Sequence, residues 1–79
     1  MISFIDVDSF LLELIKKGYT QRSFARKIGI SSPYMSQIIN GSRNPGPKVA
    51  KKVCDGLSVC FDEIFFIKMD NKSYQEKTA

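Results

Sequence analysis

Apolar residues recur along this chain at helical spacing, in stretches separated by caps and turns. Phe10, Leu11, Leu14 and Ile15 follow the i, i+1, i+4, i+5 pattern of a buried stripe, which predicts a first helix from about Asp8 to Lys17. Asp6 or Asp8 can cap its start, Lys16 and Lys17 sit at its negative end, and Gly18 follows. Thr20 is the next N-cap, and it opens a short helix from Gln21 to Ile28. Phe24, Ala25 and Ile28 face inward there, while Arg22, Arg26 and Lys27 stay in water. Gly29 ends this helix, because so tight a reversal calls for a positive φ that glycine adopts without steric cost. Ser31 caps a third helix that continues to about Asn40. Pro33 is tolerated in its first turn, where the missing N–H has no intrahelical partner. Ile30, Met35 and Ile38 hold this helix onto the previous one.

Gly41 closes the third helix, and Ser42 to Pro47 forms a loop with two prolines, the second starting a fourth helix. Val49, Ala50, Val53, Cys54 and Leu57 supply its apolar face, and Gly56 is expected to end it. A short fifth helix, about Phe61 to Phe66, contributes Phe61, Ile64 and Phe65. The ends then carry more apolar residues than a five-helix bundle must bury: Ile2, Phe4, Ile5 and Val7 at one, Phe65, Phe66 and Ile67 at the other. Two accounts stay open. Either these segments complete the core as short strands paired to each other, or they form a self-association surface. Residues 1–68 form the folded unit in this reading, and the polar stretch 69–79 is a disordered tail.

Seventy-nine residues, 43% of them hydrophobic and six of them Phe, suffice for a single all-α core without a staple. The net charge of +4 hides a strong asymmetry. Between Glu13 and Asp55 there is no acid, yet this window holds Lys16, Lys17, Arg22, Arg26, Lys27, Arg43, Lys48, Lys51 and Lys52. Ordinary solvated helix faces alternate signs. A one-sign surface of this kind instead matches a nucleic-acid duplex, whose counterions it releases.

Other chemistry finds little support. Cys54 and Cys60 do not make a disulfide framework, and with no His a zinc site lacks ligands, so no metal or cofactor is expected. Cys54 reads as a small core residue. No phosphate-binding glycine loop is present. The adjacent Asp62 and Glu63 point in different directions, one of them capping helix five, so no enzyme active site or small-molecule substrate is expected. No apolar run spans a bilayer, and the first residues carry acid where a secretion leader carries base. The expected location is the cytoplasm, away from any membrane.

Ala25 lies four residues before Gly29, which gives two short helices a small residue where they touch. With the serial caps at Thr20 and Ser31 and the apolar Ile30, Met35 and Ile38, this is the pattern of a helix-turn-helix. Tyr19-Thr-Gln-Arg-Ser-Phe-Ala-Arg-Lys-Ile-Gly-Ile-Ser31, followed by Tyr34-Met-Ser-Gln-Ile-Ile-Asn-Gly-Ser-Arg-Asn-Pro45, resembles the Cro/cI-like (Xre-type) phage-repressor family. The resemblance runs from helix one through Phe65 and implies a compact five-helix, lambda-repressor-like DNA-binding domain. It further implies double-stranded operator DNA as the partner, bound as a two-fold symmetric homodimer.

Carried over by position, the resemblance makes Gln21 a phosphate contact and brace, and turns Ser32, Pro33, Ser36 and Gln37 toward base edges. Gln37 is the main candidate for readout, since its amide can pair bidentately with adenine N6 and N7. Asn40, Ser42, Arg43 and Asn44 correspond to the helix end and loop that hold the DNA backbone, and Arg22, Ser31 and Tyr34 complete the DNA-facing set. Ser32 and Pro33 depart from the family pattern, in which long polar side chains often occupy these positions. Specificity is therefore expected to lean on Gln37, on thymine-methyl contact to Pro33, on Tyr34 and on DNA shape. Tyr34 has two readings, a cover for the core or a phosphate donor. Lys48, Lys51 and Lys52 fit a solvated face as well as a DNA contact.

The function expected from these observations is a transcriptional regulator, most simply a repressor. No sensor domain is expected in a chain of this length, so control falls to its concentration, to proteolysis or to a partner protein. The alternative is an antitoxin or other protein-interaction regulator on the same fold.

Overall fold

In the computed structural model, which describes residues 1–69, the order of elements is β1 (Ile2–Phe4), α1 (Val7–Lys16), α2 (Gln21–Ile28), α3 (Ser32–Ile39), α4 (Pro47–Leu57), α5 (Phe61–Ile64) and β2 (Phe65–Ile67). The expectation of a disordered tail falls, beyond Met69, outside the described residues. Asp6, not Asp8, caps α1: its carboxylate accepts the Asp8 N–H at 3.1 Å and the Ser9 hydroxyl at 3.0 Å.

The apolar ends of the chain do pair. β1 and β2 run antiparallel, with Ile2 opposite Ile67, Ser3 opposite Phe66 and Phe4 opposite Phe65. The Lys68 N–H donates to the Met1 carbonyl at 2.8 Å, and the Ile5 N–H to that of Ile64 at 2.9 Å. A two-stranded ribbon is marginal alone in water. This one is held by an aromatic chain, in which Phe4 lies 4.7 Å from Phe10 and 4.9 Å from Phe65 between ring centres. That pairing also corrects the fifth helix, expected to reach Phe66. Phe65 is already extended (φ −124°, ψ 163°), because strand pairing and burial of its ring outweigh two further helical residues. Glu63 is the capping acid of α5, its carboxylate accepting the Cys60 N–H at 2.9 Å.

The core gathers Phe10 and Leu14 of α1, Phe24, Ala25 and Ile28 of α2, Met35 and Ile38 of α3, and Ala50, Val53, Cys54 and Leu57 of α4. Burial pushes the Cys54 thiol up from its ordinary value, with the neighbouring Asp55 charge adding to the effect, as suits a small, unreactive core residue. Ile15 departs from the expected stripe and is 69% exposed. It lies one residue beyond Leu14, at the end of α1, and is left uncovered by the other elements of the described residues.

Gly56 also differs from expectation. The fourth helix runs past it to Leu57, and Ser58 takes the left-handed cap at φ 59°. Gly56 is there for space: a Cβ at this position would meet Ile28 Cγ2 at 2.8 Å and two Phe24 ring carbons at 3.0 and 3.1 Å. This is where α4 crosses α2. Gly56→Ala should gain about 1 kcal/mol of helix propensity but lose about 1–3 kcal/mol to overpacking. A lower urea-unfolding midpoint is the expected result, and a raised one would show that Ile28 gives way.

Candidate nucleic-acid interface

Local chemistry builds the two motif helices. Thr20 Oγ1 accepts the Ser23 N–H at 3.0 Å while Ser23 Oγ accepts the Thr20 N–H at 2.9 Å, a reciprocal cap that leaves Gln21 exposed at the first helical position. Gly29 turns the chain at φ 81°, and the Ile30 N–H reaches back to the Ala25 carbonyl at 3.0 Å. Ser31 Oγ accepts the Tyr34 N–H at 3.2 Å and starts α3. Ala25, fully buried, lets the two helices approach, and Met35 and Ile38 lock α3 from beneath.

That anchoring leaves the opposite face of α3 in water. Pro33, Ser36, Gln37 and Asn40 are exposed, and Ser32 and Tyr34 are half-buried. Gln21 and Arg22 are exposed at the start of α2. Among the described residues the Gln37 amide has no hydrogen-bond partner, whereas its backbone carbonyl accepts the N–H groups of Ser42 and Arg43 at 3.0 and 3.2 Å. The side chain is thus unengaged on a fixed backbone.

Several other candidates in the loop after α3 serve the fold. Asn40 Oδ1 accepts from the Ser42 N–H at 2.9 Å and from its hydroxyl at 2.6 Å. Asn44 donates from Nδ2 to the Ile2 carbonyl at 3.0 Å, tying the loop to β1. Sequence reasoning assigned Asn44 only to DNA and had no signal for this brace, since its partner lies 42 residues away. Arg43 is exposed, with its guanidinium carbon 5.1 Å from the centre of the Tyr34 ring.

The charge asymmetry survives folding. Among the described residues the single ion pair is Lys51 with Asp55, at 3.4 Å on the exposed side of α4. An exposed pair of this kind adds little stability, but it does compensate one of the three helix-four lysines. Arg22, Arg26, Lys27 and Arg43, on or beside the motif helices, have no carboxylate partner among those residues. Such a surface attracts polyanions, and the exposed face of α3 offers hydrogen-bonding groups beside it. No helix among the described residues is long and apolar enough to cross a membrane.

A family model described as helix-turn-helix matches residues 11–64. The chain is 29% identical over 66 residues to YvzC, an uncharacterized HTH-type transcriptional regulator of Bacillus subtilis (strain 168), a match covering 84% of this chain and 86% of that protein. It is 38% identical over 48 residues to YazB, another uncharacterized HTH-type transcriptional regulator of the same organism, covering 61% of this chain and 70% of that one. No solved structure matches at a significant level.

Proposed function

Because this chain belongs to the Cro/cI-like (Xre-type) helix-turn-helix family, we propose that it is a sequence-specific, double-stranded-DNA-binding transcriptional regulator. It acts in the cytoplasm without catalysis, as a repressor that occludes a promoter. The observation that carries this reading is an exposed α3 anchored on its inner face and flanked by cations that lack acid partners. α3 lies in the major groove while α2 crosses above it, and Gln21, Arg22 and Arg43 hold phosphates on either side.

The operator is palindromic and the bound form a homodimer, with two recognition helices about one DNA turn apart, roughly 34 Å. Support for a second copy comes from the apolar side chains left in water around the terminal strands, Met1, Ile5, Phe66 and Ile67. Selecting bound duplexes from a random library, across a salt series, tests the whole reading. The expected outcome is salt-sensitive retention and recovered sites with dyad symmetry. Failure to retain any duplex at low ionic strength overturns it. Phe66→Asp should sediment as a folded monomer, and unchanged dimerisation would remove Phe66 from the interface.

A further inference from the structure

The turn after α3 is fastened at several points. The Gln37 carbonyl holds the Ser42 and Arg43 N–H groups, the Asn40 side chain holds Ser42, and Asn44 is bonded to the Ile2 carbonyl. The Arg43 backbone is therefore fixed relative to α3. Its side chain lies back along the helix to the first turn, where Tyr34 presents its ring 5.1 Å from the guanidinium carbon. The Tyr34 backbone is itself held by the Ser31 cap, which takes its N–H at 3.2 Å.

An arginine with no carboxylate partner ordinarily samples many rotamers and loses that freedom when it meets a ligand. An aromatic face restrains it by cation–π attraction. Stacking uses the flat face of the guanidinium, while its N–H donors lie in the plane and point outward, so a stacked arginine can still grip a phosphate. We propose that Tyr34 is a positioning residue, its ring a platform that holds the Arg43 guanidinium beside the recognition helix before DNA arrives. The proposal rests on the DNA-binding reading and assigns Tyr34 a role distinct from both core cover and phosphate donor.

Three substitutions separate these roles. Tyr34→Phe keeps the platform and removes the hydroxyl. Tyr34→Leu removes the platform. Arg43→Lys keeps the charge without the planar group and leaves the ring untouched. Tyr34→Phe should bind a selected operator like the parent protein. Tyr34→Leu and Arg43→Lys should each weaken binding about 2- to 5-fold, the equivalent of one exposed cation–π contact, with the same loss on random duplex. In an Arg43→Ala background, Tyr34→Leu should cause no further loss. In the free protein the Arg43 side-chain protons should show a ring-current shift that persists in Tyr34→Phe and disappears in Tyr34→Leu.

Equal losses for Tyr34→Phe and Tyr34→Leu would assign the contact to the hydroxyl and overturn the proposal. So would full affinity in Tyr34→Leu, or absence of the ring-current shift from the parent protein. If Tyr34→Leu fails to fold, absence of the Arg43 ring-current shift from Tyr34→Phe, which keeps the ring, overturns it instead. A parent protein that binds no duplex removes the DNA-binding reading and this proposal together, whereas a parent that binds while Tyr34→Leu binds equally well removes this proposal alone.

Discussion

Phe24→Ala should lower the unfolding free energy by about 3–5 kcal/mol, the usual cost of emptying a fully buried phenylalanine site. Phe24 is completely buried and meets Phe10 edge-on at 6.2 Å and Tyr19 at 5.2 Å. Its ring also lies against Gly56 of α4. The side chain thus joins α1, the start of the motif and α4 at one point. A domain of this size has about 5–15 kcal/mol of stability in total, so a large part of it would be lost. Urea unfolding followed by far-UV circular dichroism measures the change. A loss under 1 kcal/mol would mean that the site collapses around the smaller residue.

Gln37→Ala should leave stability unchanged and cost about 1–3 kcal/mol of affinity for the preferred operator. The separation of these effects follows from the hydrogen bonds. The loop after α3 hangs on the Gln37 carbonyl, which alanine retains, and not on the Gln37 amide. Alanine is also at least as good a helix former as glutamine. Any loss of binding therefore reports the amide itself. Fluorescence anisotropy on a selected site and on a scrambled duplex distinguishes readout from general affinity. The expected loss is confined to the selected site and relaxes preference at one base pair. Equal losses on both duplexes would contradict base readout by Gln37.

Much of the motif was legible because it is built from short-range chemistry. Thr20 and Ser31 announce helix starts through bonds that span three residues, and Gly29 announces a turn through its own backbone freedom. Ala25, Met35 and Ile38 fall on the inner face by helical periodicity, which also puts Gln37 on the outer one. Gly56 was misread for the opposite reason. A glycine near the end of an apolar helical run reads as a terminator, and nothing nearby in sequence reveals that Ile28 and Phe24 occupy the space a side chain would need. Ile15 was misread likewise, since periodicity places a residue on a face but does not say how far the neighbouring elements extend over it.

The amino-acid sequence by itself determined the helix boundaries of the motif, the inner faces of its two helices, and an acid-free cationic window. Each of these depends on bonds within a few residues or on charge alone. Only the tertiary structure decided that Phe65 to Ile67 leave the helical path to pair with Ile2 to Phe4, that Asn44 braces β1, and that Arg43 lies on Tyr34. Those contacts join residues from nine to more than sixty positions apart. They form because packing the core brings the two short strands and the loop after α3 together, and burial of apolar surface across the fold chooses between the pairings that the local pattern left open.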